Sequence, residues 1–334
     1  MENRKHEKSA PAYYKIKVYA GAFLFMQRVR EQVEDIYGER TDGGSGIVIA
    51  MLDTGVLLHP DLNDRILCFR DFVGFGYPGR IRDSRTYDDN GHGTHVAGIL
   101  CGSGALSSGK YRGLAPGARL VVGKVLDKGG DGSTEAMLKG LDWIMEIRES
   151  YRIRILNISV GIGDMEDKQK EGALQAKLEQ LWQSGILVVC AAGNKGPREG
   201  SVSSVGGSSQ VVTVGCHDGN FKAGLPWRCS NYSGRGVLGA DPRKPDLVAP
   251  GTEIISCNGE CYKHKGKYMN GYVAKSGTSM ATPIVSAAAA LALERYPAMT
   301  NDDCRLKLQY TATDLGIPWN QQGWGMVNVK RLLA

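Results

Sequence analysis

Apolar runs alternate with amphipathic segments along most of the chain, and this alternation predicts a parallel β-sheet flanked by helices. Residues 47–52 are apolar on both faces, as is typical of a strand buried inside a parallel sheet. Further strands are predicted at residues 118–126, 153–160 and 185–191. Helices are predicted between them at residues 134–149, which have one apolar face, and at 166–184. The pattern predicts an α/β fold of three layers, a mostly parallel central sheet with helices on both faces.

The last third of the chain continues the same alternation. Strands are predicted near residues 210–215 and over 247–257, followed by a smooth apolar helix at 284–293. A last helix is predicted from Thr300, because Asp303 three residues later approximates a capping box.

The N-terminal region, residues 1–45, is predicted to be an extension and a lead-in segment. Residues 26–37 have the periodicity of an amphipathic helix, which the glycine-rich run at 41–46 ends. No internal repeat or linker follows, so residues 46–334 are predicted to form one domain.

Composition and charge narrow the class of protein. Hydrophobic residues make up 42% of the chain and charged residues 23%, which is ordinary for a globular protein with a substantial core. The net charge of +6 is thinly spread, and its two tight basic clusters, at residues 4–8 and 263–267, are interpreted as solvated surface without a nucleic-acid partner. The apolar stretch at 20–26 is too short to span a bilayer and lacks the flank of a signal peptide. These features predict a cytoplasmic protein without a membrane partner.

The eight cysteines are consistent with that location. Cys101, Cys190 and Cys216 lie in or beside apolar stretches, where cysteine behaves as a small hydrophobic residue. Without an export signal, free thiols are the expectation. Cys257 and Cys261 alone are close enough in a polar loop to suggest a bridge or a metal site, and two ligands are a weak signal for a metal.

Ser279 lies where the apolar helix begins, inside the run KSGTSMATP at residues 275–283. The start of a helix offers free backbone N–H groups and the positive end of the helix dipole, which suit a nucleophile whose transition state gains negative charge. The alternative is that Thr278 or Ser279 serves only as a helix N-cap.

Three other polar residues follow strands or begin helices of the predicted sheet: Asp53, His92 and Asn194. In a parallel sheet such positions can converge at one edge. There His92 could act as the base for Ser279, Asp53 could orient the imidazole, and Asn194 could donate to an oxyanion. Locally, however, Asp53 is equally well explained as a turn residue before Gly55.

Five runs of the sequence together resemble the subtilisin-like serine proteases, the subtilases. They are VIAMLDTG at 48–55, HPDL at 59–62, GHGTHVAG at 91–98, AAGN at 191–194 and GTSMATP at 277–283. The chain order Asp, His, Ser is that of the family. The resemblance implies a serine endopeptidase with the triad Asp53, His92 and Ser279, an oxyanion hole at Asn194 and an acyl-enzyme intermediate.

The resemblance also implies a cleft that binds protein or peptide substrates as an extended strand. Its walls are expected from three segments of the chain: Gly130 and Gly132; Ser159, Val160 and Gly161; and Ala191, Ala192 and Gly193. The short extension is closest in style to intracellular subtilisins, so residues 8–19 are expected to lie across the cleft and inhibit the enzyme. Many subtilases bind calcium at the aspartate matching Asp61, but the loop at 102–112 has few oxygen side chains, so no metal or other cofactor is assigned.

Three competing functions stay open at this stage. His92 and His95 could bind the metal of a hydrolase, although no glutamate lies between them as in HExxH proteases. An α/β-hydrolase esterase would need GxSxG and the order Ser, acid, His, which the chain lacks. A non-catalytic relative that binds peptides would usually lack a triad residue, and none is missing here.

Overall fold

A computed structural model describes residues 42–74, 85–160, 168–218 and 229–334. Seven strands of this described part form one parallel sheet in the order β2-β3-β1-β4-β5-β6-β7. They are β1 (Val48–Asp53), β2 (Ile66–Asp71), β3 (Arg119–Lys124), β4 (Ile153–Ile158), β5 (Leu187–Ala191), β6 (Val212–Cys216) and β7 (Leu247–Ala249). The predicted parallel sheet is confirmed, and β1, which is buried along its whole length, lies near its middle.

Helices cover both faces of this sheet. They are α1 (His92–Cys101), α2 (Thr134–Ile147), α3 (Lys168–Gln183), α4 (Cys229–Tyr232), α5 (Thr278–Arg295), α6 (Asn301–Thr311), α7 (Trp319–Gln322) and α8 (Val329–Leu333). Helix α5 packs against β4 to β7 with α1 beside it, while α2 and α3 pack together and contact β1 and β5. The three-layer α/β prediction is therefore confirmed.

Helix α5 is the centre of the core. It is apolar all round, and its residues from Met280 to Leu293 are buried, as expected for a helix enclosed by other elements. Its buried polar residue Ser286 donates to the side chain of Asn157 on β4 at 2.8 Å, so the hydroxyl is satisfied inside the core. This bond ties the middle of α5 to the sheet.

The predicted strand at 247–257 is wrong as a single element. The structure divides it into β7 and β8 (Ile254–Cys257), which belong to different sheets. Pro250, which has no N–H, and Gly251 interrupt it. A side chain at Gly251 would lie 2.6 Å from the sulfur of Cys216, so the chain turns close against β6.

Some strands were not predicted from the sequence, whereas the last helix was. Four of the described strands were not predicted, β2 and the three that follow β8: β9 (Tyr262–His264), β10 (Lys267–Met269) and β11 (Tyr272–Lys275). The last predicted helix is confirmed as α6, with a complete capping box between Thr300 and Asp303. The predicted helix at 26–37 and the proposed inhibitory segment lie outside the described residues.

The cysteines deviate from the expectation of free thiols at one pair. Cys216 at the end of β6 and Cys229 in α4 form a disulfide. The other six are free, including buried Cys257 and half-buried Cys261, so the bridge considered for that pair is not present. In the described part of the chain, no helix has both the length and the hydropathy needed to cross a bilayer.

Candidate active site

Asp53 is the last residue of β1, at the carboxyl edge of the sheet. Strand β1 lies between β3 and β4. After β1 the chain crosses to β2 on one side of the sheet, and after β4 it crosses to β5 on the other side. Binding sites of open α/β sheets usually lie where the direction of the crossovers changes in this way. The Asp53 side chain is fully buried, and its Oδ1 accepts a hydrogen bond from the backbone N–H of Thr54 at 2.7 Å. The backbone of Thr54 thus helps to fix the orientation of the Asp53 carboxylate.

His92 is the first residue of α1, and a glycine allows it to approach Asp53. A Cβ on Gly93 would collide with the carbonyl oxygen of Gly55, so only glycine permits the close contact of α1 with the end of β1. The ring Nδ1 of His92 lies 2.7 Å from Oδ1 of Asp53, while 22% of the His92 side chain stays exposed. The histidine therefore joins a buried acid to the surface of the site.

The environment of His92 determines its tautomer and its pKa. An ionised carboxylate can only accept, so Nδ1 carries the hydrogen and Nε2 keeps a lone pair when the ring is neutral. Burial lowers the pKa of His92, but the charge and the hydrogen bond of Asp53 outweigh burial and leave the pKa above its ordinary value. This environment stabilises the imidazolium that forms when His92 accepts a proton as a base.

Asp88, which was not predicted from the sequence, holds β1 and α1 together. Its Oδ1 accepts from the hydroxyl of Thr54 at 2.9 Å, and its Oδ2 accepts from the hydroxyl and the backbone N–H of Thr94. Burial raises the pKa of Asp88, but the hydrogen bonds from Thr94 and from the backbone N–H groups of Gly91 and Asn90 outweigh burial and leave the pKa below the usual value. The carboxylate connects the end of β1 to the first turn of α1. An acidic residue four positions before His92 was the available signal.

Ser279 is the second residue of α5 and is half-buried. The N-cap of α5 is Gly277, so the alternative in which Thr278 or Ser279 acts as the cap is wrong. Gly277 has φ 152° and ψ 162°, a conformation that only glycine adopts readily. A Cβ there would also lie 3.3 Å from Nδ2 of Asn194. The glycine before Thr278 and Ser279 therefore allows Asn194 to lie close to the backbone at the start of α5.

Asn194 follows β5 and is exposed at the same edge of the sheet. Its Oδ1 accepts from the backbone N–H of Thr278 at 2.9 Å and from the Thr278 hydroxyl at 3.0 Å. A backbone N–H can only donate, so the amide orientation is determined and Nδ2 remains the donor end. Nδ2 lies next to Gly277, beside the start of the Ser279 helix.

His95 has a different environment from His92. Its ring is fully buried, and Nε2 lies 2.9 Å from the carbonyl oxygen of Ile254 and 3.1 Å from that of Val273. Burial lowers the pKa of His95 to about 3, so the ring is neutral and donates to these carbonyls. Among the described residues, the groups of side chains that converge as metal ligands do not include His92 or His95. Geometry therefore does not support a metal-dependent hydrolase at this pair.

All but one of the residues predicted for the cleft lie in the described part of the structure. Gly130 approaches the amide of Asn90, whose Nδ2 donates to the carbonyl oxygen of Lys128 at 3.1 Å, so the loop with Gly130 and Gly132 lies near the start of α1. Ser159 and Val160 follow β4 and are buried. Gly161 lies outside the described residues.

Ala191 ends β5, and the buried residues Ala192 and Gly193 connect it to Asn194. The backbone of this turn is held on both sides: the carbonyl of Ala192 accepts from the N–H of Ser203, and that of Gly193 accepts from the N–H of Gly234. The turn is rigid, as a wall of a binding pocket requires.

Asp61, which the resemblance matches to a calcium-binding aspartate, accepts hydrogen bonds from protein donors. The hydroxyl of Tyr272 donates to Oδ2 of Asp61 at 2.8 Å, and the backbone N–H of Leu106 donates to Oδ1 at 3.0 Å. His59 and Cys257 complete the surroundings of this fully buried carboxylate. Calcium needs six to eight oxygen ligands. Donors, an imidazole and a thiol do not fit that requirement.

The fold is a parallel α/β sheet with an acid–imidazole pair at one edge and a serine at the start of a helix on the same edge. These features together define a class of serine hydrolases. Comparison with known proteins identifies the group within that class. Residues 44–325 match the Subtilase family. The chain is 37% identical over 313 residues to serine protease AprX of Bacillus subtilis (strain 168), covering 89% of this chain and 68% of AprX.

Two further comparisons agree. The chain is 35% identical to Subtilisin Savinase of Lederbergia lenta, covering 86% of this chain and 90% of that protein. The structure of Sphericase superimposes with a TM-score of 0.74 at 29% identity, covering 89% of this chain and 97% of that one. The chain belongs to the subtilase family and is a subtilisin-like serine protease, so the family recognised from the sequence is confirmed.

Proposed function

We propose that the protein hydrolyses internal peptide bonds through a triad of Asp53, His92 and Ser279. The observation that carries this proposal is the 2.7 Å contact between His92 Nδ1 and Asp53 Oδ1 at the edge where the Ser279 helix begins. Helix α1, which begins at His92, packs against helix α5, which begins one residue before Ser279.

The reaction follows from these groups. The Oγ of Ser279 attacks the carbonyl carbon while Nε2 of His92 takes the hydroxyl proton. Asp53 stabilises the resulting imidazolium. His92 then transfers the proton to the leaving amine, and the C–N bond breaks to leave an ester on Ser279. A water molecule, deprotonated by His92, attacks the ester. His92 then gives this proton to the leaving Oγ of Ser279, which releases the carboxylic acid and restores the free serine.

The oxyanion of the tetrahedral intermediates would be bound by Nδ2 of Asn194 and the backbone N–H of Ser279. Support comes from the two hydrogen bonds of Thr278, which hold the Asn194 carbonyl and leave its NH₂ group as donor. Donors held in place before the reaction are effective because little reorganisation accompanies charge formation.

The substrate would bind as an extended strand between the loop of Gly130 and Gly132 and the residues after β4. The turn of Ala191, Ala192 and Gly193 would line the pocket for the side chain before the scissile bond. The close packing of Gly130 near Asn90, two residues before His92, supports this placement because the scissile bond must lie beside His92.

The test separates a serine mechanism from a metal mechanism. We expect a fluorophosphonate to abolish hydrolysis of casein and to label Ser279, as mapped by mass spectrometry of the digested protein. A chelator should leave the rate of peptide cleavage unchanged. Label on a different residue, or activity lost to chelation and restored by metal, would contradict the triad; active enzyme would also exclude a non-catalytic relative.

We further propose that Asp61 is stabilised by protein donors in place of calcium. The melting temperature should then be equal in chelator and in millimolar calcium. Tyr272→Phe removes a donor from a buried carboxylate and should lower the free energy of unfolding by about 2 kcal/mol. A calcium-dependent rise in melting temperature that Asp61→Asn abolishes would show that the proposal is wrong.

A further inference from the structure

Strands β9 and β10 form a hairpin whose surface combines positive charge with exposed apolar groups. Both strands are exposed along their whole length. Tyr262, Tyr268 and Met269 are 54%, 43% and 42% exposed, and lysines 263, 265 and 267 lie among them. Isolated charges need no partner, but large apolar side chains grouped in solvent usually mark a contact surface. The interpretation of residues 263–267 as merely solvated surface therefore leaves these aromatic residues unexplained.

The geometry of the hairpin places this chemistry on both of its faces. Lys265 and Gly266 have φ of 46° and 81°, which is typical of a tight two-residue hairpin turn. Lys263 pairs with Tyr268 across the strands, and its Nζ lies 5.6 Å from the centre of the ring. On the other face, Lys267 pairs with His264. Each face thus offers a cation beside a flat or apolar group.

The base of the hairpin lies beside His92. Gly259 packs so closely on Gly91, the residue before His92, that a Cβ on Gly259 would collide with the Gly91 backbone. At the other end, the N–H of Asn258 donates to the carbonyl of Gly271 at 3.0 Å, and β11 then leads to Lys275, four residues before Ser279. The hairpin is therefore part of the rim of the proposed active site.

Charge is concentrated at this rim. Residues 258–275 contain four lysines and one acidic residue, Glu260, and their net charge of +3 is half of the +6 of the whole chain. The positive charge of Lys275 opposes protonation of His92 and offsets part of the rise that Asp53 causes in its pKa, so this charge acts on the site. A ligand drawn to this rim would be negatively charged.

We propose that the basic rim, defined as the β9–β10 hairpin together with Lys275, binds acidic residues that follow the scissile bond of the substrate. The inference rests on the proposed function, because His92 gives its proton to the leaving amine. The substrate chain after the scissile bond must therefore pass His92, and the rim begins next to that residue. The basic rim would select substrates with acidic segments on the leaving side.

The experiment compares two internally quenched peptides that are identical up to the scissile bond. One continues with Glu-Asp-Glu and the other with Gln-Asn-Gln, and mass spectrometry verifies that both are cleaved at the same bond. At low ionic strength we expect kcat/KM to be about ten-fold higher for the acidic peptide, since several weak ion pairs act together. Addition of 0.5 M NaCl should reduce the preference to about two-fold, because salt screens exposed charges.

A triple variant tests whether the hairpin produces the preference. Lys263→Gln, Lys265→Asn and Lys267→Gln remove three charges, and asparagine tolerates the left-handed conformation at 265. The ratio of kcat/KM for the two peptides should fall about three- to five-fold. The matched control is Lys170→Gln, Lys307→Gln and Lys330→Gln, which removes three charges from α3, α6 and α8 and should keep the wild-type ratio.

The outcomes separate this inference from the proposed function. Equal cleavage of both peptides by the wild type, or an unchanged ratio in the hairpin variant, would overturn the inference alone. Failure to cleave either peptide would overturn the proposed function and the inference with it. Binding of an RNA oligonucleotide that the hairpin variant loses, without any peptide preference, would assign the surface to nucleic acid and overturn the inference as well. If the hairpin variant does not fold, the salt dependence of the wild type still decides.

Discussion

Ser279→Ala is expected to reduce kcat for casein and for chromogenic peptides by about 10⁵- to 10⁶-fold, with KM changed little. The serine is the only group in the proposed mechanism that forms a bond to the substrate, so no neighbour can replace its Oγ. The residual rate should still exceed that of water, because Asn194 and the cleft remain. Fluorophosphonate labelling should be lost as well.

Ser276→Ala is the matched control for this variant. Ser276 is exposed three residues before Ser279, and its hydroxyl only accepts from the N–H of Glu253 at 2.9 Å. Its removal should change kcat less than about two-fold and keep the labelling, as expected for a surface substitution. Comparable activity of the two variants would mean that Ser279 is not the nucleophile.

Asp53→Asn is expected to reduce kcat by about 10⁴-fold while the protein stays folded. Asparagine has nearly the shape of aspartate, but its NH₂ group can donate to Nδ1 of His92. The hydrogen then moves to Nε2, which can no longer accept the serine proton. The variant also loses the charge that raises the pKa of His92, so burial and Lys275 prevail. The pH at which kcat/KM is half-maximal should therefore shift downwards.

The control for this second variant is Asp142→Asn on the exposed surface of α2, where Asp142 pairs with Lys177 at 2.6 Å. It removes the same charge far from His92 and should leave both kcat and the pH midpoint at wild-type values. Thermal unfolding of both variants verifies that they fold. A downward shift without loss of kcat would indicate that Asp53 tunes the pKa without selecting the tautomer.

Much of the fold could be predicted because its signals are local. Strands β1 and β5 lie in continuous apolar runs, β3 and β4 in apolar runs with a few polar residues, and the capping box of α6 spans four residues. Strand β2 was missed because it lies at the edge of the sheet, where only Phe69 and Asp71 are buried, and so lacks a long buried apolar run. The hairpin was missed because its strands are three residues long and bury no apolar face.

For the candidate site, too, some features could be predicted from the sequence and others could not. Its residue types and their order along the chain were readable, since Asp53, His92, Asn194 and Ser279 each stand in a characteristic run. The partners that hold them were not readable. Asp88 acts through Thr54, 34 residues away, and Thr278 orients Asn194 across 84 residues. Hydrogen-bond partners at such separations depend on how elements dock, which local periodicity does not encode.

The sequence by itself determined the family, most elements of the central sheet and its covering helices, and the identity of the candidate catalytic side chains, because burial patterns and short motifs act over a few residues. Only the tertiary structure decided the rest. It placed His92 against Asp53, gave Asp61 a donor from Tyr272 across 211 residues, and brought the basic hairpin beside Gly91. Each of these contacts joins residues that are distant in sequence and lie together in a buried or crowded part of the fold. Only the packing of the folded chain determines which of their atoms come into contact.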